Sequence, residues 1–160
     1  MKKLLMALLA VLTLTLTASA LDLSLVGSGS TQIQGTKDSS FGTELRLEQY
    51  VTTNLSLGVS QGFSYASSAN STLRGSTELF TAYNLHYSIF NVKNEVYVGA
   101  GTRVSYGDGD LVFTAGPLLG NRLFIRENVY VLTQANYDIA INNAASNDNI
   151  RYTLGLGVRF

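Results

Sequence analysis

The sequence predicts an all-β fold, an eight-stranded antiparallel up-and-down transmembrane β-barrel, and three observations predict it. The segment 150–160 alternates without a break, with Ile150, Tyr152, Leu154, Leu156, Val158 and Phe160 on one side and Arg151, Thr153, Gly155, Gly157 and Arg159 on the other. A period of two is the signature of a strand, and one face of this strand is wholly apolar. Turn-rich intervals divide the preceding chain into seven more pieces of similar length and pattern. The charges within these pieces share the face opposite the apolar one.

The first 20 residues stand apart and read as a secretory signal. Lys2 and Lys3 form a positive start, Leu4 to Leu16 an apolar run, and Ala18-Ser19-Ala20 a small-x-small cleavage site. The run falls short of the roughly 20 apolar residues a spanning helix needs. No other long apolar run follows, which excludes a helical membrane protein. Residues 21–160 are then one domain, with no Pro/Ser linker or low-complexity block. Removing Lys2 and Lys3 from 11 basic and 11 acidic side chains leaves a formal net charge of −2, no footprint for nucleic acid. With no cysteine, no disulfide staples the fold.

Gly, Pro, Asn, Asp and Ser clusters set the eight strands. The first runs over 22–34 and ends at the Gly35–Ser40 connection. The second, 41–51, points Phe41, Thr43, Leu45, Leu47 and Val51 one way and turns at Thr52-Thr53. The third, 54–65, carries Phe63 and Tyr65 outward, with Gly58 and Gly62 inward, and meets the long Ala66–Gly75 connection. The fourth, 76–89, faces out with Leu79, Tyr83, Leu85, Tyr87 and Ile89 and turns at Asn91-Val92-Lys93. The fifth, 94–106, faces out with Val96, Val98, Ala100, Val104 and Tyr106, and Gly107-Asp108-Gly109 makes a tight turn. The sixth, 110–125, contains Pro117, read as a local bulge facing lipid, and turns at Arg126-Glu127. The seventh, 128–141, leads through Asn142–Asp148 into the eighth, 149–160. Short turns on one rim and mostly longer connections on the other is the outer-membrane barrel arrangement. With an even number of strands, both termini fall on the short-turn, periplasmic side. Eleven residues at ~3.3 Å, tilted by ~40°, cover roughly 28 Å, enough for an apolar band of about 25 Å.

Charge placement gives the pattern its physical sense. Glu44, Arg46, Glu48, Glu78, Glu95, Arg103, Arg122, Asp138, Arg151 and Arg159 all fall opposite the apolar residues of their strands. Asp22, Lys37, Asp38, Arg74, Lys93, Asp108, Asp110, Arg126, Glu127 and Asp148 fall in loops, turns or strand ends. No charge meets lipid, where an Arg or Lys at the midplane would cost about 2–4 kcal/mol. The inward set is balanced in sign. A barrel of eight strands is only wide enough for side chains to fill it, and charges buried there must pair. The expectation is a lumenal ion-pair network, with Asp138 close to Arg151 and Glu78 close to Arg103.

Glycine decides between this arrangement and a soluble lipocalin- or streptavidin-like barrel, which places apolar residues inside. Gly58, Gly62, Gly99, Gly101, Gly116, Gly120, Gly155 and Gly157 share the charged face. A narrow lumen needs such small residues, here read as making room for guanidinium groups. Aromatics form two outward belts. Phe41, Phe63, Tyr65, Tyr106, Phe113 and Tyr152 lie near the long-loop rim, and Tyr87 and Phe160 near the other.

In these features the chain resembles the small eight-stranded outer membrane barrels, the OmpA/OmpX-like superfamily, in its barrel domain only. Thr153, Gly155, Val158 and Phe160 are similar to the C-terminal assembly signal of bacterial outer membrane proteins. The resemblance implies export to the bacterial outer membrane and reading of the last strand by the barrel assembly machinery. It implies a monomer surrounded by outer membrane lipid, lipopolysaccharide included. It names no activity, because function on this scaffold lives in grafted sites and loops.

Catalytic and ligand motifs are few. His86 and Ser88 look like the His-x-Ser motif of lipid A 3-O-deacylase barrels. They share the inward parity, lie at the short-turn end, and are followed by Ile89-Phe90 in place of Asn-Ala, so His86 is expected to bond lumenal polar groups. Asn54-Leu55-Ser56 and Asn70-Ser71-Thr72 match the glycosylation sequon and are read as turn residues. Asp108 and Asp110 are too few ligands for calcium. No metal or cofactor is expected. The leading expectation is a non-enzymatic, structural or membrane-integrity protein with a plugged polar lumen. The alternatives are a narrow, porin-like pore, a surface adhesin with loops of ten residues or fewer, and a lipid A-modifying enzyme.

Overall fold

The computed structural model describes residues 20–32, 39–66, 72–107, 110–141 and 148–160. Residues 1–19 of the expected signal, and the Asp108-Gly109 part of the tight turn, lie outside these. So do residues 33–38, 67–71 and 142–147 of the longer connections.

Eight alternating segments form eight strands. They are β1 (Leu21–Gln32), β2 (Ser39–Tyr50), β3 (Leu55–Ala66), β4 (Thr72–Ile89), β5 (Val92–Gly107), β6 (Asp110–Phe124), β7 (Val129–Ala140) and β8 (Asn149–Arg159). Each pairs antiparallel with its sequence neighbour, and β8 returns to β1 to close the barrel. Closure leaves no free sheet edge, which is what lets strands cross a bilayer.

The register is staggered. A circuit of opposed positions leaves β1 at Asp22 and passes Glu48, Gly58, Phe80, Gly101, Gly116, Asp138 and Asn149. It returns to β1 at Gln32, ten residues on. This shear tilts the strands and fixes the narrow bore. It also decides which inward side chains meet across the lumen.

The faces are inverted relative to a soluble barrel. Leu25, Leu45, Leu57, Leu79, Leu119 and Leu154 are exposed, whereas Asp22, Glu44, Glu48, Glu78, Glu95, Asp138, Arg46, Arg122 and Arg151 are buried. Because the apolar residues are outside, the lipocalin-like alternative fails.

Several local expectations change. β4 begins at Thr72, four residues early, because Thr72 to Gly75 pair with Phe63 to Ala66. The β4–β5 turn is Phe90-Asn91, one residue early, with φ of 51° and 64°. Positive φ at both central residues suits the twist of a two-residue hairpin. The other short turns share one geometry. In 51–54 the Leu55 carbonyl accepts from Val51 and Thr52 N–H, and in 125–128 the Val129 carbonyl accepts from Ile125 and Arg126 N–H.

Pro117 faces outward but makes no bulge. The β6–β7 register is the same on both sides of it, from Ala115 opposite Ile139 to Leu118 opposite Asn136. The ladder is interrupted at Gly116-Pro117, where proline has no N–H to give. Pairing with β5 continues through Ala100 opposite Pro117.

Candidate functional site

The inward side chains form two clusters, named here by rim. The lower rim carries the short turns and the strand ends at Leu21 and Phe160, which exchange backbone hydrogen bonds. The upper rim carries the longer connections.

In the lower cluster Arg122, 0% exposed, lies at the centre. It donates to Glu48 Oε2 at 2.5 Å, to the Tyr50 hydroxyl and Asn84 Oδ1 at 2.9 Å each, and to Glu95. Arg159 donates to both oxygens of Asp22, at 2.7 and 2.8 Å, and to Glu95 at 3.0 Å. Ser56 completes Glu48 at 2.6 Å. Four strands, β1, β2, β4 and β5, therefore converge on the guanidinium pair supplied by β6 and β8.

Aromatic rings frame these cations. Arg122 stacks 4.2 Å from the Tyr97 ring centre, Arg46 4.3 Å from Phe80, and Arg159 4.5 Å from Tyr50. Glycines back the rings from the wall: a Cβ at Gly120, Gly58 or Gly157 would overlap Tyr97, Phe80 or Tyr130. The lower lumen is thus layered as glycine, ring, guanidinium. This corrects the expected role of these glycines, which make room for rings rather than directly for arginine. A guanidinium has five donors, and Arg46 Nε and Nη2 and Arg122 Nε have no hydrogen-bond partner. The negative ring faces supply part of the missing stabilisation.

The middle of the lumen links the clusters. Gln134 Oε1 accepts from Arg46 at 2.6 Å and from Tyr97 at 2.9 Å, while its amide donates to Asn136 at 2.5 Å. Arg46 lies 3.9 Å from Glu48.

In the upper cluster Arg151 donates to Asp138 at 3.0 Å and to Glu78 at 2.9 Å. Arg103 donates to Glu44 at 2.8 Å and to Ser76 at 2.5 Å. Glu78 lies 4.0 Å from Arg103, so its closer partner is Arg151, across the barrel rather than on the neighbouring strand. Above this cluster the lumen opens into a cavity of about 240 Å³ that all eight strands line.

All ten charges expected inside are inside. Two were missed: Arg74, placed in a connection, lies in β4 and lines the upper cavity, and Asp22, rather than an end-of-strand charge, is 1% exposed and held by Arg159. Its parity with the inward Ser24 and Val26, and its register with Arg159, carried the signal. Tyr50, Phe80, Tyr97, Phe124 and Tyr130 were also legible, since they share parity with the charges.

His86 bonds the Glu95 carboxylate through Nδ1 at 3.0 Å, and its Nε2 lies 2.9 Å from the Thr53 carbonyl. Ser88 is not among its partners, so no base–nucleophile pair forms. Asn54 bonds the Asn84 carbonyl as a turn residue. In β8, Thr153 faces the lumen, while Leu154, Leu156 and Phe160 are exposed. No group of three His, Cys, Asp or Glu is placed to hold a metal among the described residues.

No family model and no curated protein matches the chain. Solved structures do match. Neisserial surface protein A is 14% identical with a TM-score of 0.60, over 88% of this chain and 96% of its own. A barrel from the de novo design of transmembrane β-barrels is 16% identical with a TM-score of 0.58, over 90% and 98%. Ail, the attachment invasion locus protein of Yersinia pestis, is 12% identical with a TM-score of 0.55, over 88% and 97%. At such identity the likeness is one of fold: the chain has the architecture of the small eight-stranded outer membrane barrels.

Proposed function

We propose that this chain is a monomeric, non-enzymatic integral protein of a bacterial outer membrane, with a structural or membrane-integrity role and a closed lumen. The observation that carries this reading is the lower cluster. Arg122, Glu95, Glu48, Tyr50 and Tyr97 occupy the bore from wall to wall, and Arg122 is wholly buried among them. Ions of either sign meet fixed, paired charges of both signs there. Of the inward glycines, Gly58, Gly120 and Gly157 are covered by rings.

The apolar outer surface supports a lipid surrounding, with lipopolysaccharide in the outer leaflet. The short-turn rim, with both strand ends, is the periplasmic one on this reading, and Thr153, Gly155, Val158 and Phe160 are the address read by the barrel assembly machinery. His86, bonded at both ring nitrogens, supports a positioning role in the lower rim rather than catalysis.

Planar-bilayer recording of the refolded 21–160 chain tests the reading. The expected result is no stable unit conductance. Regular, large unit steps would establish the pore alternative instead.

A further inference from the structure

On the outer wall, toward the upper rim, three polar side chains from three strands meet within an otherwise apolar surface. Gln61 of β3, Thr77 of β4 and Tyr106 of β5 share the outward parity of the exposed Phe63, Tyr65 and Leu79. Tyr106 stands opposite Gly75, where a Cβ would overlap its ring. The missing side chain lets Tyr106 lie across β4, and its hydroxyl accepts from Gln61 Nε2 at 2.5 Å. Thr77, opposite Gln61, donates to Gln61 Oε1 at 2.8 Å. Donors and acceptors do not balance in this trio. An amide carries two polar hydrogens and each hydroxyl one, and the two bonds use one amide hydrogen and that of Thr77. The Tyr106 O–H and the second Gln61 N–H have no acceptor among the described residues. Lower on the same face an outward hydroxyl is satisfied locally: Thr81 donates to the Ser56 carbonyl at 3.1 Å.

We propose that this trio binds the lipid A part of lipopolysaccharide, donating the Tyr106 O–H and the free Gln61 N–H to the carbonyl oxygens that join its acyl chains to its headgroup. The proposal rests on the reading of the upper rim as the outer-leaflet side of an outer membrane barrel. Depth supports it. Gln61 lies directly below Phe63 and Tyr65 in the outward row of β3, and Tyr106 belongs to the same aromatic belt. Such belts mark the boundary between hydrocarbon and headgroups, and that boundary is where acyl-linkage carbonyls lie. Need supports it as well. Donors turned toward hydrocarbon cost free energy unless they find an acceptor, and no water is there to supply one. Acyl chains carry no acceptor, so the linkage carbonyls are the groups of the lipid that fit. Two donors side by side suit a lipid that bears several amide- and ester-linked chains on one headgroup. The bond between Gln61 and Tyr106 holds both donors in place before the lipid arrives.

The test follows the Gln61 side-chain amide by NMR. Nitrogen-labelled 21–160 chain is refolded in micelles of an alkyl glucoside, a detergent without carbonyl groups. It is titrated with lipid A, with a diester phospholipid and with the diether phospholipid of the same headgroup and chain length. The expected result is a saturable downfield shift of a Gln61 amide proton with lipid A. The diester should bind roughly tenfold more weakly, and the diether, which lacks only the carbonyls, should leave the signal in place. Tyr106→Phe removes one donor and should weaken lipid A binding roughly tenfold. Thr102→Val, an exposed change on the same face, should leave it unchanged, with heat-modifiable gel migration reporting that both variants fold. No saturable shift with lipid A, a diether acting like the diester, phospholipid binding as tightly as lipid A, or unchanged binding in Tyr106→Phe overturns the proposal. So does a shift that follows protein rather than lipid concentration, which would mark contact between copies. Failure of the parent chain to insert into lipid vesicles would defeat the membrane reading as well, whereas insertion without lipid A binding defeats this site alone.

Discussion

The lower and upper halves of this lumen use the same parity, the same strands and the same arginine–carboxylate chemistry, yet they differ in kind. Below, charges are sandwiched against rings that are themselves seated on glycines. Above, charges are bonded to one another and to serine, and a cavity is left beside them. The difference teaches that pairing charges does not by itself close a barrel. Closure comes from the volume of the rings that share their layer, because eight strands enclose a space that only large side chains fill. Serine in the same positions satisfies polarity without filling volume.

Four substitutions break or sharpen this contrast. Removing the central cation should have the largest effect. Arg122→Ala leaves Glu48 and Glu95 buried without their closest partner, a loss of about 3–5 kcal/mol for a broken buried pair, with the lost stacking on Tyr97 in addition. Urea unfolding followed by heat-modifiable gel migration reads it, and a midpoint equal to the parent's would show that the lower cluster does not stabilise the barrel. If this variant refolds, its bilayer conductance also asks whether the plug has been opened.

The corresponding change above should cost less. Asp138→Ala takes one acceptor from Arg151, which keeps Glu78 at 2.9 Å and Glu44 at 3.6 Å. The expected loss is about 1.5–3 kcal/mol, that of a hydrogen bond to a charged group. A larger loss than Arg122→Ala in the same urea series would reverse the ranking of the two halves.

Adding one methyl separates the halves by packing alone. Gly120→Ala places a Cβ into the Tyr97 ring and 2.7 Å from the Thr133 carbonyl. Overpacking of this kind costs about 1–3 kcal/mol. The smallest effect belongs to the upper cavity. Ser105→Ala removes a hydroxyl without a partner beside open space, so stability should stay within about 0.5 kcal/mol. Equal shifts in these two variants would mean that the halves are packed alike.

Much of the fold was legible because each strand states its own register: one slip would send Arg46, Arg103 or Arg122 into lipid. The lateral pairs were legible where they lie on adjacent strands, as Asp138 and Arg151 do, opposite through Asn136 and Asn149 in the β7–β8 ladder. Pairs across the bore were not. Nothing local tells Glu78 to choose Arg151 over Arg103, or brings Glu48 to Arg122. Asp22 was misread because a residue at a strand end looks solvent-bound until closure sets it beside Arg159.

By itself, then, the sequence determined the number of strands, the face each turns outward and the short-turn rim. Those properties follow from a period of two and from the cost of a charge in lipid, both of which act within one strand. The tertiary structure alone decided the partners across the lumen, the seating of rings on glycine and the cavity above them. These depend on the ten-residue stagger accumulated around the closed barrel, a property of eight registers together that no single strand carries.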